Sequence, residues 1–375
     1  MTRVPAIDSL RGLLLILMAI DHVSLFVANH HAFEFWGGAW SRHTDPAWFL
    51  TRFVTHLCAP GFFFLMGAGM PLFSQARQAA GWPGTRIRSF LIKRGLLFLV
   101  INQLLENPAW ILGTAFRRAA GPPPFDAPPP GVDGSFPYLA LTVISALGLA
   151  MAAAAWFVEF RWAGALGAVL LVVSGALTPS ADHAAAIYHP LLRLLLIPGQ
   201  SKWLFVLYPV IPWLGVTLIG VAFGRWILRD STSAFRYAPW IGLASIAAAL
   251  ALRVAGSFGN LRLPRDATWI EFLNFIKYPP ALVFALSMAG ANLLLLVALK
   301  NAPKWLSVFG QAPLFYYLAH LYLYAIIGVL FFRDPGSIGA LYLIWLLGLP
   351  LLYVACRRFR VFKAAKPVES LWRLF

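Results

Sequence analysis

Long uninterrupted runs of apolar residues dominate the chain, and polar positions interrupt them at wide intervals. Each run has about 20 residues, which is enough to cross a bilayer as an α-helix. The runs are continuous rather than alternating, which argues against a β-barrel. The pattern predicts an all-α, polytopic membrane helix bundle of about ten transmembrane helices. The predicted spans are residues 7–27, 47–72, 88–112, 136–156, 163–178, 203–225, 238–256, 280–300, 305–331 and 337–356.

Composition agrees with this pattern, because 60% of the 375 residues are hydrophobic and only 12% are charged. About 25% of the residues of an ordinary soluble domain are charged. A net charge of +16 could indicate nucleic-acid binding, but the basic residues lie between the spans, as in cytoplasmic loops. We therefore predict no nucleic-acid partner, a lipid bilayer as the surroundings and both termini in the cytoplasm. The first span is interpreted as a retained helix, since no small-residue cleavage site follows it.

The first two spans contain an unusual number of ionisable residues. Such groups in hydrocarbon cost several kcal/mol each unless they face a partner or water. We therefore expect some of them to be functional. They are Asp8, Arg11, Asp21, His22, Arg52 and His56.

Three histidines are predicted to lie at similar depths. The helical rise places His22 about 22 Å from the inner end of span one and His56 about 14 Å below the outer end of span two. His320 lies about 22 Å above the inner end of span nine. Arg11 and His22 are three turns apart and share a face, and Asp8 precedes Arg11 by one turn on that face. We expect a polar track that is basic near the cytoplasm and rich in histidine further out.

Simpler interpretations remain open at this point. A histidine in an apolar helix often serves only as an interhelical hydrogen-bonding group, worth about 1 kcal/mol. Arg11 and Asp8 could form a structural pair at the membrane edge, with Arg11 reaching water. A proton-coupled or small-solute transporter would use buried histidines and proline-broken helices equally well.

Several other chemistries have no support in the sequence. Phosphate-binding loops, dinucleotide fingerprints, zinc-protease motifs and nucleophile elbows are all missing. The two cysteines, Cys58 and Cys356, are too few for a metal site. Their predicted positions, inside the second span and at the inner end of the last span, make a disulfide between them improbable. We predict no metal cofactor.

The polar motifs carry a resemblance to bacterial membrane proteins related to heparan-α-glucosaminide N-acetyltransferase, and the matching segments extend over nearly the whole chain. The opening D-x-x-R-G, with a histidine eleven residues after the arginine, is also similar to the wider membrane O-acyltransferases of bacteria. The matching segments are IDSLRG at 7–12, DH at 21–22, RFVTHLCAP at 52–60, FLMG at 64–67, YPVIPWLG at 208–215, FLN at 272–274, KYPP at 277–280, FG at 309–310, and PLFYY at 313–317 with His320.

The resemblance implies one transmembrane acyltransferase-like domain over 1–375 in the bacterial cytoplasmic (inner) membrane, with a role in glycan modification. It implies acetyl-CoA as the acyl donor and a sugar or similar acceptor on the far side of the membrane. Essential residues of the O-acyltransferases correspond to Arg11 and His22. The animal glucosaminide enzyme has its catalytic histidine after the first span, for which His43 is the candidate here. The oligomeric state is open, with a homodimer as one alternative.

Together these observations suggest a mechanism. The basic mouth binds the phosphates of acyl-CoA, and a histidine acts as general base on the acceptor or takes the acyl group itself. Asp21 or a partner from another span would fix the tautomer of the first-choice base, His22. The predicted catalytic residues are His22, His56, Asp21 and His320. The predicted donor-binding residues are Arg11, Asp8, Arg86 and Arg88. The predicted acceptor-binding residues are His43, Arg52, Glu106 and Lys277.

Overall fold

The computed structural model describes residues 4–32, 34–36, 43–118, 139–178, 189–201, 203–332, 334–367 and 370–375. Over these residues the chain is a bundle of α-helices with one small sheet. The helices are α1 Pro5–Phe26, α2 Pro46–Thr55, α3 Cys58–Gln78, α4 Gly84–Ile101, α5 Asn107–Arg118, α6 Val143–Ala154, α7 Ala163–Leu177, α8 Pro190–Leu195, α9 Val210–Arg229, α10 Ser231–Ala255, α11 Trp269–Leu273, α12 Leu282–Ala298, α13 Lys304–Gly310, α14 Pro313–Phe331, α15 Ile338–Ala364 and α16 Leu371–Leu374.

The predicted all-α membrane bundle is confirmed. Within the described ranges, eight helical segments are long and apolar enough to span a membrane. Two shorter apolar helices, α6 and α7, occupy the positions of the predicted fourth and fifth spans, although residues 136–138 of the fourth lie outside the described residues. Three predicted spans each contain two of these helices, and span three holds α4 and α5. Span two divides into α2 and α3 near His56, and span nine divides into α13 and α14.

A three-stranded sheet was not predicted. It consists of β1 Leu139–Leu141, β2 Gly199–Ser201 and β3 Leu204–Val206, with β3 in the centre. The β1 strand pairs in parallel with β3, and β2 pairs antiparallel with it. Strands of three residues are too short to show an alternating pattern, so the sequence carried no usable signal for them.

Helix α1 is central to the bundle and contacts helices from both ends of the chain. Its Gly12 lies against the Leu306 carbonyl of α13, and Gly310 of α13 lies against the Asp8 carbonyl. A Cβ at either glycine would overlap the facing backbone. Small residues at such crossings let backbones approach closely, which is how membrane helices associate. The same arrangement joins α3 and α9, where Gly220 meets the Phe64 carbonyl.

The loop between α10 and α12 folds around one arginine. Buried Arg253 donates hydrogen bonds to the carbonyls of Phe272, Glu271 and Arg262 at 2.7–2.8 Å. The end of this loop then pairs with the segment after α1, because the amides of residues 277 and 278 both donate to the Glu34 carbonyl at 3.1 Å. Two connections that are remote in sequence therefore meet over the end of α1 that is opposite the chain termini.

Candidate functional site

A cavity of about 910 Å³ lies at the end of the bundle where α1 begins and α15 ends. We call it the basic cavity. Its deeper wall is apolar and includes Leu15, Met18, Met66, Phe98 and Leu147. Among the described residues that line it, Asp8 is the single carboxylate. Its cationic lining residues are Arg11, Arg77, Arg94, Lys363 and Arg373.

Two of these cations have donors that the protein does not use. The Nε atoms of Arg77 and Arg94 are buried and lack a hydrogen-bond partner within the described part of the chain. Arg11 donates from Nη1 to Asp8 Oδ1 and to the Gly310 carbonyl, both at 3.2 Å. Guanidinium groups suit phosphate because they stay charged and present a planar fork of donors. The mouth of the basic cavity is therefore chemically suited to an anionic ligand.

One face of α1 leads from this mouth toward the first-choice histidine. Arg11, Leu15 and Met18 all line the basic cavity. Their spacing of four and three residues continues to His22, one turn beyond Met18. At that level the cavity is also lined by Tyr317 of α14, whose ring centroid lies 6.0 Å from that of His22. His22 is 6% exposed and is not itself a lining residue, so among the described residues the cavity comes nearest to it through Tyr317.

His22 and His320 form a direct pair, which we call the histidine pair. Nδ1 of His22 lies 2.6 Å from Nε2 of His320, and the two rings are stacked with centroids 4.8 Å apart. Nδ1 of His320 lies 2.8 Å from the carbonyl oxygen of Tyr316. The close approach of α1 to α14 allows this contact, since Gly328 lies directly on the Phe26 carbonyl.

A second polar group lies on the other side of Tyr317. The Tyr317 hydroxyl donates to Glu106 Oε1, and Asn102 Nδ2 donates to Glu106 Oε2 at 2.8 Å. Asn102 and Glu106 are fully buried and belong to a single π-helical turn, Asn102–Glu106, between α4 and α5. Such turns are rare and occur frequently at functional sites. Tyr317 therefore contacts the basic cavity, the histidine pair and the Glu106 group at once.

A separate ionic network lies beyond the histidine pair, and we call it the outer charge cluster. Arg52 is at its centre and donates from Nη1 to Asp21 Oδ1, and from Nε and Nη2 to the two oxygens of Glu34 at 2.9 and 2.7 Å. His56 Nε2 lies 3.4 Å from Glu34 Oε1. Lys277 is 3% exposed and lies within electrostatic range of Asp21.

The loop members of this cluster have shifted pKa values. Burial would raise the pKa of the Glu34 carboxyl, but the Arg52 guanidinium and His56 hold it well below its usual range. Burial lowers the pKa of His31 to about 4, although the negative charge of Asp21 opposes this. At neutral pH the cluster therefore contains paired carboxylates and cations, with a neutral His31.

The predicted donor-binding residues divide into two sets. Asp8 and Arg11 line the basic cavity. Arg86 and Arg88 are not among its lining residues, because their guanidinium groups stack on Trp82 and Trp156, 4.2 and 4.5 Å from the ring centroids. Three cations that were not predicted from the sequence line the cavity instead, namely Arg77, Lys363 and Arg373.

The predicted catalytic and acceptor-binding residues also fall into different groups in the structure. The structure brings His22 and His320 together, while His56 joins Glu34 in the outer charge cluster. The carboxylate of Asp21 is directed to Arg52, so the hydrogen-bonding partner of His22 comes from another span. His43 lies within electrostatic range of Glu34 and Arg52, with its ring against Phe49 at 5.3 Å between centroids.

Two kinds of residue were missed from sequence. Glu34 lies in a loop and gave no motif, although a buried Arg52 requires a carboxylate partner and Glu34 is a nearby acid in sequence. Lys363 and Arg373 are in the C-terminal region and were not among the predicted donor-binding residues. Nothing local distinguishes them, since their place at the cavity depends on how α15 and the following residues fold back.

Comparison with known proteins identified a family for this chain. The family model described as heparan-alpha-glucosaminide N-acetyltransferase, catalytic, matches residues 3–257, which is more than half of the chain. That range contains α1 with Arg11 and His22, the outer charge cluster except Lys277, and the Glu106 turn. His320 and Lys363 lie beyond it. No curated protein matches the chain.

Proposed function

The chain belongs to the heparan-α-glucosaminide N-acetyltransferase family, and from this membership we propose that it transfers an acetyl group from acetyl-CoA to an acceptor hydroxyl or amine across the membrane. The basic segments orient the termini toward the cytoplasm, so the basic cavity would open on that side. The donor would enter there. A sugar or similar acceptor would approach from the opposite side.

One observation carries the proposal: a cavity with a cationic mouth and apolar walls that extends as far as Tyr317, whose ring packs against both histidines of the pair. Its volume of about 910 Å³ is near the upper end of the 300–1,000 Å³ range typical of small-molecule and cofactor sites. The phosphates of acetyl-CoA would bind at Arg11, Arg77 and Arg94. The uncharged pantetheine arm would follow the apolar wall, and it would have to cover the roughly 16 Å of helical rise between Arg11 and His22.

In this reaction His22 transfers a proton. His22 accepts the proton of the acceptor hydroxyl or amine as its oxygen or nitrogen attacks the thioester carbonyl carbon. The new carbon–oxygen or carbon–nitrogen bond forms, and the carbon–sulfur bond breaks. The proton held by His22 then passes to the departing thiolate, so CoA leaves as the free thiol and the histidine is regenerated.

Thiol release and donor binding test the proposal directly. We expect purified protein in lipid nanodiscs to release CoA thiol from acetyl-CoA in the presence of an acceptor, and acetyl-CoA to raise its unfolding temperature. Absence of both effects with several acyl-CoA species would reject acyl transfer and favour transport.

A matched pair of arginine variants tests the location of the donor site. R94Q should weaken acetyl-CoA binding by about 10- to 150-fold, because a charge-assisted hydrogen bond contributes roughly 1.5–3 kcal/mol. R86Q is the control, since Arg86 stacks on Trp82 outside the cavity lining, and its donor affinity should not change. Equal loss in both variants, measured by calorimetric titration, would contradict a donor site in the basic cavity.

A further inference from the structure

The hydrogen-bonding partners of the histidine pair determine which ring nitrogens carry a hydrogen. A backbone carbonyl can only accept, so the Nδ1 atom of His320 that faces the Tyr316 carbonyl at 2.8 Å must carry a hydrogen. In a neutral imidazole the other nitrogen then has a free lone pair. Nε2 of His320 is therefore an acceptor, and Nδ1 of His22, 2.6 Å away, must be the donor.

We propose that His320 is a positioning residue that holds His22 in the tautomer protonated at Nδ1, leaving Nε2 of His22 as the nitrogen that accepts the acceptor's proton. The inference rests on the proposed acyl transfer for its catalytic meaning, but the protonation pattern itself does not. It assigns to an imidazole the orienting function that a carboxylate performs in many hydrolytic sites.

The surroundings of the pair favour its neutral form. Across the described residues, no carboxylate hydrogen bonds to either ring. Asp21, the neighbour of His22 in sequence, is directed to Arg52, and Glu106 binds the Tyr317 hydroxyl. The rings that face His22 are Trp110 of α5, at 5.1 Å between centroids, and Tyr317 of α14. Without a paired anion, an imidazolium at this buried position would be costly, whereas two neutral rings satisfy each other.

The arrangement also has a consequence for the transfer step. When Nε2 of His22 takes up a proton, its Nδ1–H remains donated to the lone pair of His320. The developing positive charge is therefore stabilised by a neutral acceptor that is already in place, with no rearrangement of the pair. The proton stays at Nε2, the atom from which it must pass to the departing thiolate.

Nitrogen NMR of the unmodified protein tests the assignment without any assay of activity. Protein labelled with ¹⁵N-histidine should show His22 as the Nδ1–H tautomer at pH 7.5, with its signals identified by their loss in H22N. A His22 that is protonated at Nε2 instead, or that is doubly protonated, would overturn the proposal.

Two substitutions at position 320 separate positioning from packing. In H320Q an amide oxygen can occupy the place of imidazole Nε2 and accept from His22, whereas in H320N the shorter side chain reaches only toward the Tyr316 carbonyl. We expect H320Q to keep the His22 tautomer and to stay within about 10-fold of wild-type thiol release. H320N should lose the tautomer and at least 100-fold of the rate. Equal behaviour of the two variants would overturn the positioning role.

The outcome also separates this inference from the proposed function. A wild-type protein that shows the Nδ1–H tautomer at His22 but never releases thiol supports the assignment for His320 and overturns only the acyl transfer. A wild-type protein that releases thiol while His22 is protonated at Nε2 supports acyl transfer and overturns the positioning role of His320.

Discussion

The histidine pair and the outer charge cluster both contain buried imidazoles, but the partners of those imidazoles differ. His22 and His320 bind each other and a carbonyl, and the Tyr317 ring that packs against both of them lines the basic cavity. His56 lies against Glu34, which is already held by Arg52 through two hydrogen bonds. A cavity lined by Asp21, His31 and Arg52 in the outer charge cluster has a volume of about 10 Å³, which is no more than the room that one water needs.

We infer from this difference that the histidine pair is the reactive site and the outer charge cluster a structural one. A neutral imidazole can take a proton from a ligand that contacts it. His56 instead lies 3.4 Å from Glu34, whose two oxygens Arg52 already binds. We therefore expect substitutions in the histidine pair to change activity more than stability, and substitutions in the outer charge cluster to do the opposite.

The strongest test of the comparison is H22A. Removal of a general base typically lowers the rate by 10²–10⁴-fold, so thiol release from acetyl-CoA should fall by that amount. The unfolding temperature in detergent should change little. H189A, a substitution of an exposed histidine at the start of α8, should leave turnover unchanged. Turnover in H22A near the wild-type level would remove His22 from the base role.

The next largest effect is expected from R52M. Loss of the guanidinium leaves Asp21 and Glu34 as buried carboxylates without their cation, which costs about 3–5 kcal/mol. The unfolding temperature should fall markedly, as measured by differential scanning fluorimetry. R88M removes a partly exposed arginine from a helix and serves as the control. Equal stability of R52M and R88M would show that the outer charge cluster is not structural.

Acid should weaken the outer charge cluster through His31. Its pKa is lowered to about 4 in the folded protein from an ordinary 6.5, so the folded state disfavours the proton. The contribution of His31 to stability is fully present above pH 6.5 and is lost as the pH falls from 6.5 to about 4. The loss corresponds to about 3 kcal/mol. Unfolding free energies between pH 7.5 and 4.5 should fall less steeply in H31N, and identical slopes would contradict this origin.

Tyr317 should give the smallest effect, because Y317F keeps the ring beside His22 and removes only the hydroxyl that binds Glu106. One lost hydrogen bond costs about 1 kcal/mol, and thiol release should fall by less than 10-fold. The matched control is Y322F, whose hydroxyl donates to the Leu105 carbonyl at 2.9 Å away from the pair. A loss in Y317F as large as in H22A would mean that the hydroxyl itself takes part in transfer.

Some features of the candidate site were predictable because they depend only on helical periodicity. The spacing of Arg11 and His22 places them on one face at different depths, and the rise per residue places His320 at a level similar to that of His22. The structure shows both relationships, with His22 against His320 and Arg11 in the basic cavity. By contrast, Arg86 and Arg88 were chosen for their position in the chain, and their side chains stack on tryptophans instead.

The sequence by itself determined the membrane bundle, the approximate spans and the separation of Arg11 and His22 along one face of α1, because these follow from local hydrophobicity and a constant helical rise. Only the tertiary structure decided which imidazole binds which partner, that Asp21 serves Arg52 rather than His22, and that Lys363 and Arg373 reach the basic cavity. Those choices depend on the rotation of each helix about its axis and on glycine contacts such as Gly12 with α13 and Gly328 with α1. They arise from packing between segments hundreds of residues apart, which no local pattern encodes.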